Sequence, residues 1–164
     1  MTEKQQHALE TILSNLPEDC RADYREIADY AVSLGYMPVL QGKQDRYADF
    51  AKSKVKKRIL KMDTDPKHPP RLALRFFALP SYTGIFHEAI LNRIAYWDKL
   101  GYAPRCFGCG HCSGAEGYHY ALPDGRKGFL CGFGAFTLPT ISAKDIPAIK
   151  EALRIQDSFY MSQK

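Results

Sequence analysis

The stretch Arg71–Leu79, RLALRFFAL in one-letter code, decides the fold class. Leu72, Leu74 and Phe76 occupy every second position, the period that places successive side chains on opposite faces of a β-strand. A lone strand is not stable in water and needs hydrogen-bonded neighbours. The stretch therefore predicts a half-buried strand over residues 71–79, paired with strands from the preceding segment.

That preceding segment contains three further predicted strands. Tyr36–Leu40 is extended, and Arg46–Lys52 and Val55–Met62 form a hairpin around Ser53. The apolar residues of this hairpin also fit a helical period, so a helix over the same residues is the alternative. Residues 65–70 form a loop, because two consecutive prolines there remove backbone donors.

Four helices are predicted from apolar residues that recur every three or four positions. They cover Glu3–Leu16, Cys20–Leu34, Tyr82–Leu100 and Ile146–Tyr160, the last with Asp145 as its N-cap. A small second hairpin joins Gly117–Leu122 to Gly128–Gly132 through a Pro-Asp-Gly turn. The predicted fold is a single α+β domain over residues 1–164, with helices flanking an antiparallel sheet.

Residues 106–112 combine two overlapping C-x2-C steps, and Cys131 follows after 18 further residues. Two thiolates three residues apart can hold one ion where the backbone turns tightly, and Gly108 and Gly110 allow such a turn. We therefore predict a metal-bound loop and hairpin within residues 102–136. Its four ligands are Cys106, Cys109, Cys112 and Cys131.

Zn²⁺ is the predicted metal, because four cysteines are typical ligands of structural zinc. An iron–sulfur cluster is the alternative, although the C-x3-C-P continuation of bacterial ferredoxins is missing. His111 or His119 could replace one cysteine, and four unrelated buried cysteines are the remaining interpretation. Zinc with four protein ligands has no open position for water, so it would stabilise the fold and not catalyse a reaction.

The cysteine region resembles a known group of sequences. Its segments CFGCGHC at 106–112, GYHY at 117–120, PDGRK at 123–127 and FLCG at 129–132 are similar to the C-terminal half of an uncharacterised family of small bacterial proteins. The resemblance covers about residues 36–160. It implies a shared fold and a shared metal site, and it implies no catalytic residue.

Positive charge is concentrated between Gln41 and Arg75, which hold eleven Lys or Arg against four Asp, whereas the whole chain carries a net charge of only +5. Cations of the predicted hairpin could neutralise the phosphates of a nucleic acid. They are Lys54, Lys56, Lys57, Arg58 and Lys61. The simpler interpretation is a solvated hairpin whose charges prevent an edge strand from pairing with another molecule.

Motifs of common enzyme classes are missing from the chain. His87-Glu88 is not continued to H-E-x-x-H, and there is no G-x-S-x-G, phosphate-binding P-loop or G-x-G-x-x-G. The predicted function is a zinc-stabilised binding protein, with nucleic acid or a protein as partner. An iron–sulfur or thiol redox protein, or an enzyme that binds a small molecule, is the alternative. Without a long apolar run or a secretory signal pattern, we expect a cytoplasmic protein that does not enter a membrane.

Overall fold

The computed structural model describes residues 1–42, 44–101, 116–122 and 125–163. These residues form helices α1 (Glu3–Ser14) and α2 (Glu18–Ser33), strands β1 (Met37–Gln41), β2 (Tyr47–Lys52), β3 (Lys57–Asp63) and β4 (Arg71–Leu74), helix α3 (Ile85–Lys99), strands β5 (Gly117–Ala121), β6 (Lys127–Cys131) and β7 (Phe136–Thr137), and helix α4 (Ile146–Ser162). The α+β fold class is confirmed, and the helix alternative for the β2–β3 hairpin is wrong.

The strands form two antiparallel sheets. The larger sheet has the order β1-β2-β3-β4-β7, and the smaller sheet is the β5–β6 hairpin. Strand β7 was not predicted, because its two residues are too short to show an alternating pattern. It pairs Thr137 with Ala73 and Phe136 with Leu74, and so extends the larger sheet beyond β4.

Helices pack on one face of the larger sheet, where α1 contacts β1 and β2 and α4 contacts β3. In α1 the buried residues Leu9, Ile12 and Leu13 recur at helical spacing and meet sheet residues such as Phe50 and Leu60 in one apolar cluster. Each such side chain contributes about 2 kcal/mol when fully buried. The cluster includes residues of all four helices and both sheets.

Strand β4 is shorter than predicted. It ends at Leu74, and the chain then turns so that the amide N of Leu79 donates to the carbonyl of Phe76. The amide N of Ala78 donates to Oε1 of Gln156 in α4, 3.1 Å away, and not to a neighbouring strand. Residues 72–77 are all buried, so the strand is not half-exposed as its alternation indicated.

Asp145 does not cap α4 with its side chain. Its Oδ2 instead accepts hydrogen bonds from the backbone N and the Oγ of Ser142, at 2.9 and 2.7 Å. These bonds close a 3₁₀ turn at Ala143–Asp145 that leads directly into the helix. The predicted cap therefore acts one turn earlier than expected.

The β5–β6 hairpin is anchored to the larger sheet through Tyr118. Its ring stacks on Phe136 with centroids 4.0 Å apart, and its hydroxyl accepts a hydrogen bond from the amide N of Phe76 at 3.3 Å. Within the hairpin, Phe129 lies directly over Gly117, where a Cβ would stand 2.0 Å from the ring. Close packing therefore requires glycine at position 117. Among the helices described here, none has the length and apolarity of a membrane span.

Candidate functional site

The face of the larger sheet that points away from the helices carries polar and charged side chains. We call it the open face. Register across β2, β3, β4 and β7 places Asp49, Lys61, Ala73 and Thr137 in one row, and Tyr47, Asp63 and Arg71 in the next. Residues at the alternate positions of these strands are apolar and buried against the helices. The two-residue period thus separates a packed face from a charged one.

A groove of about 270 Å³ lies on the open face, where the loop at 133–135 rises beside β4. Its charged lining residues are Asp49, Arg58, Lys61, Asp63, Arg71 and Arg75. Four cations and two carboxylates give this lining a net formal charge of +2. The groove therefore favours an anionic ligand.

A β-bulge brings Arg58 and Lys61 to the same groove. Three positions apart, the two side chains would point to opposite faces of a regular strand. The register between β2 and β3 shifts after Phe50, however, so that Phe50 pairs with Leu60 while the next residue of β2 pairs with Arg58. The extra residue reverses the alternation, as bulges do. No local sequence pattern predicts this bulge.

Ion pairs neutralise only part of the groove. Arg58 Nη1 lies 2.7 Å from Asp49 Oδ2, whereas Asp63 Oδ2 lies 3.5 Å from the ring Nε2 of His68, a contact that is an ion pair only when the imidazole is protonated. Lys61 Nζ instead lies over the ring of Tyr47, 4.7 Å from its centroid. Neither Lys61 nor Arg71 forms an ion pair with any residue in the described ranges. Both charges are therefore available to a ligand.

Arg75 is the buried cation of the groove, only 7% exposed. Its Nη2 donates to the backbone carbonyl of Phe133, and its guanidinium lies 5.7 Å from the centroid of the Phe133 ring. Burial raises the pKa of the neighbouring Tyr160, and the charge of Arg75 acts in the opposite direction. From the sequence, Arg75 was predicted to lie in a strand and to add to the local positive charge; its burial was not predicted, although a cation between buried apolar positions is unusual.

The five hairpin cations predicted to contact nucleic acid do not share one surface. Lys54 and Lys56 are exposed in the turn at 53–56. Lys57 donates to Glu116 Oε1 at 2.7 Å, next to the β5–β6 hairpin. Only Arg58 and Lys61 line the groove. Two further cations, Arg71 of β4 and Arg75 just after it, complete the lining of the groove. They were not among the predicted contacts because they lie outside the hairpin.

Three of the predicted metal ligands, Cys106, Cys109 and Cys112, lie outside the described residues. Cys131 is described: it is half-buried at the end of β6 and pairs with Gly117 of β5. No group of three or more potential ligands that could hold a metal occurs within the described ranges, which contain only two of the five cysteines. The four-cysteine site stays a prediction.

Two histidines were named from the sequence as alternative ligands, and Cys20 is the other cysteine in the described residues. His111 lies outside the described residues, whereas His119 is exposed on β5, with its ring 5.0 Å from that of Phe129. Cys20 lies in α2, where burial raises the pKa of its thiol and the carboxylate of Asp19 adds to the shift. Cys20 is therefore a weak nucleophile at neutral pH.

Comparison of the chain with protein-family models, with curated proteins and with solved structures finds no match. The resemblance of the cysteine region to a family of small bacterial proteins accordingly stays a prediction. The groove and the cysteine spacing are therefore the features that bear on function.

Proposed function

We propose that the protein binds single-stranded nucleic acid in the groove of the open face, and that its four cysteines hold a Zn²⁺ that stabilises the β5–β6 hairpin. One observation carries the nucleic-acid proposal. Lys61 and Arg71 line one groove without ion-pair partners in the described residues, and Lys61 lies over the ring of Tyr47.

Phosphate neutralisation supplies the affinity in this proposal. Each cation that pairs with a phosphate releases counterions, which makes binding depend steeply on salt. Lys61 and Arg71 lose no intramolecular ion pair when a phosphate arrives. Arg58 keeps Asp49 as a competing partner at 2.7 Å, so we expect it to contribute less than the other two.

Aromatic rings favour a single strand over a duplex. Tyr47 lies on the open face next to the groove, with Lys61 Nζ over one side of its ring, and Phe133 lines the groove with 45% of its surface exposed. Unpaired bases can stack on such rings, whereas the bases of a duplex already stack on each other. No residue of the helices described lines the groove, so none of these helices is placed there to enter a major groove.

The zinc proposal draws its support from spacing and position. Three cysteines occupy two C-x2-C steps, and Cys131 pairs with Gly117, which follows Cys112 by five residues in the sequence. A metal bound by these cysteines would tie the start of β5 to the end of β6. Its binding energy would then be folding energy of the hairpin.

Fluorescence anisotropy with a labelled oligothymidylate tests the nucleic-acid proposal. We expect salt-dependent binding, and Lys61→Gln or Arg71→Gln should each lower the slope of log K against log salt by about 0.7. Lys144→Gln and Arg154→Gln are matched controls, because both residues are exposed and lie away from the groove. Absence of binding at low salt, or equal losses in the controls, would refute the proposal.

A further inference from the structure

Arg75 presents an energetic problem that the groove itself does not solve. A cation that is 93% buried normally pairs with a carboxylate, because removing an unpaired charge from water costs several kcal/mol. Arg75 forms no ion pair with any residue in the described ranges; its hydrogen-bond acceptor is the neutral carbonyl of Phe133. Its other neighbours are the ring of Phe133 and the hydroxyl of Tyr160; the hydroxyl interacts with the guanidinium and is uncharged at neutral pH, as an ordinary tyrosine is.

The carboxylates of Asp49 in the groove and of Glu116 beside β5 already have other partners. Asp49 accepts from Arg58 at 2.7 Å, and Glu116 accepts from Lys57 at 2.7 Å. Asp63, the other carboxylate of the groove, lies 3.5 Å from His68 Nε2. No described carboxylate therefore pairs with Arg75, and an anion that enters the groove would be its counter-charge. The net lining charge of +2 matches an anion with about two negative charges.

We propose that the groove recognises the terminal phosphate of the bound strand, a phosphomonoester, and that Arg75 binds it. The inference rests on the proposed function and narrows its ligand to a strand end. A phosphomonoester carries about two negative charges at neutral pH and so matches the groove's net charge, whereas an internal phosphodiester carries one.

The buried position of Arg75 also favours a terminal phosphate over an internal one. Because the guanidinium is buried, a ligand must enter the groove to reach it. An internal phosphate would have to bring both of its flanking sugars to that point. A terminal phosphate has a single ester substituent and three free oxygens, which suit the planar donors of a guanidinium. Phe133 lines the groove beside this point, with its ring centroid 5.7 Å from Arg75 Cζ.

The test compares oligothymidylates of equal length that end in a 5′-phosphate, a 3′-phosphate or hydroxyls at both ends. With the wild-type protein, we expect one of the phosphorylated strands to bind about tenfold more tightly than the hydroxyl-ended strand. Arg75→Gln should reduce that preference to about onefold, and Arg75→Lys should retain part of it because the charge remains. Arg154→Gln should keep the full preference.

Comparison of the three probes on the wild-type protein needs no variant, so a folding defect of Arg75→Gln cannot obscure the result. Salt-dependent binding of all three strands with equal affinity would overturn the terminal-phosphate inference and leave the proposed function standing. Binding of free thymidine monophosphate without binding of any oligonucleotide would support the phosphate site and overturn the proposed function. If neither kind of probe binds, both are wrong.

Discussion

Arg58 Nη1 lies 2.7 Å from Asp49 Oδ2, and the pair joins a guanidinium side chain that is 54% exposed to a carboxylate side chain that is 10% exposed. The two partners therefore differ in what their removal leaves behind. Without Asp49, the guanidinium of Arg58 remains solvated. Without Arg58, a buried carboxylate loses its ionic partner.

Substitution of the two partners should have unequal effects on stability. We expect Arg58→Gln to lower the free energy of unfolding by about 2 kcal/mol, because a buried charge is left unpaired. Asp49→Asn should cost about 1 kcal/mol or less, as for partly exposed ion pairs. Urea unfolding measures both values, and equal losses would show that the burial of Asp49 is unimportant.

The same two variants should change the affinity for an oligonucleotide in opposite directions. Asp49→Asn removes a negative charge from the groove and frees Arg58, so binding should become about threefold tighter. Arg58→Gln removes a positive charge and should weaken binding. Both variants weakening the affinity to the same extent would argue that the pair acts only by holding the sheet in shape.

The glycine beneath Phe129 gives a prediction about packing. Gly117→Ala would place its Cβ 2.0 Å from Phe129 Cζ, and we expect a loss of about 3 kcal/mol in the free energy of unfolding. Gly134→Ala is the control, since its Cβ meets only Arg93 Nη2 at 3.9 Å. In a Phe129→Ala background the Gly117→Ala change should cost less, with the remaining cost set by the backbone O of Leu130, 2.8 Å from the same Cβ. A full cost in that background would mean that the ring is not the obstacle.

Buried tyrosines make the fold sensitive to alkali. Burial raises the pKa of Tyr82 to about 12, and it also raises the pKa values of Tyr24, Tyr36 and Tyr118. The folded pKa values therefore exceed the value of about 10 for an unfolded tyrosine. The stabilisation is complete below about pH 10 and is lost as pH rises through the folded pKa values, because the unfolded chain releases its protons first.

Urea unfolding between pH 8 and pH 12 should therefore show stability falling above about pH 10. Tyr118→Phe should flatten this dependence, because it removes one buried ionisable group. The raised thiol pKa of Cys20 acts in the same direction at slightly lower pH, so the comparison is made in a Cys20→Ala background. Unchanged stability up to pH 12 would contradict the burial of these hydroxyls.

Metal content tests the cysteine site. Elemental analysis of protein purified without added metal should find about one zinc per chain, and the absorption spectrum should show no visible band. Cys109→Ser should lower both the zinc content and the thermal stability, whereas Cys20→Ser should retain the metal. Iron with a visible band would establish the iron–sulfur alternative. Lost stability with full metal content would mean that Cys109 is not a ligand.

Local patterns predicted the helices well, because a stripe of buried residues such as Leu9, Ile12 and Leu13 is visible within one helix. Strand β4 was predicted too long. Its alternation continues past Leu74, but the turn that ends it depends on Gln156, far away in the sequence. Contacts between distant segments leave no periodic trace.

The groove was predictable only as a local excess of positive charge. Arg58 and Lys61 share it because of a register shift that depends on the partner strand. Arg71 and Arg75 join them from β4 and the residue after it, through pairing that a sequence pattern cannot show. A basic stretch of sequence predicts the charge of a site, but strand register determines which of its cations lie close together.

Lys57 and Arg58 are adjacent in β3 but serve different parts of the molecule. Lys57 Nζ holds Glu116, whose carbonyl also accepts from the amide N of Gly132, while Arg58 pairs with Asp49 in the groove. A shift of the small hairpin that moves Glu116 would therefore also move Lys57, the residue next to Arg58 of the groove. Thermodynamic linkage makes such an influence mutual: whatever factor an ordered hairpin applies to ligand affinity, the bound ligand applies to the ordering of the hairpin.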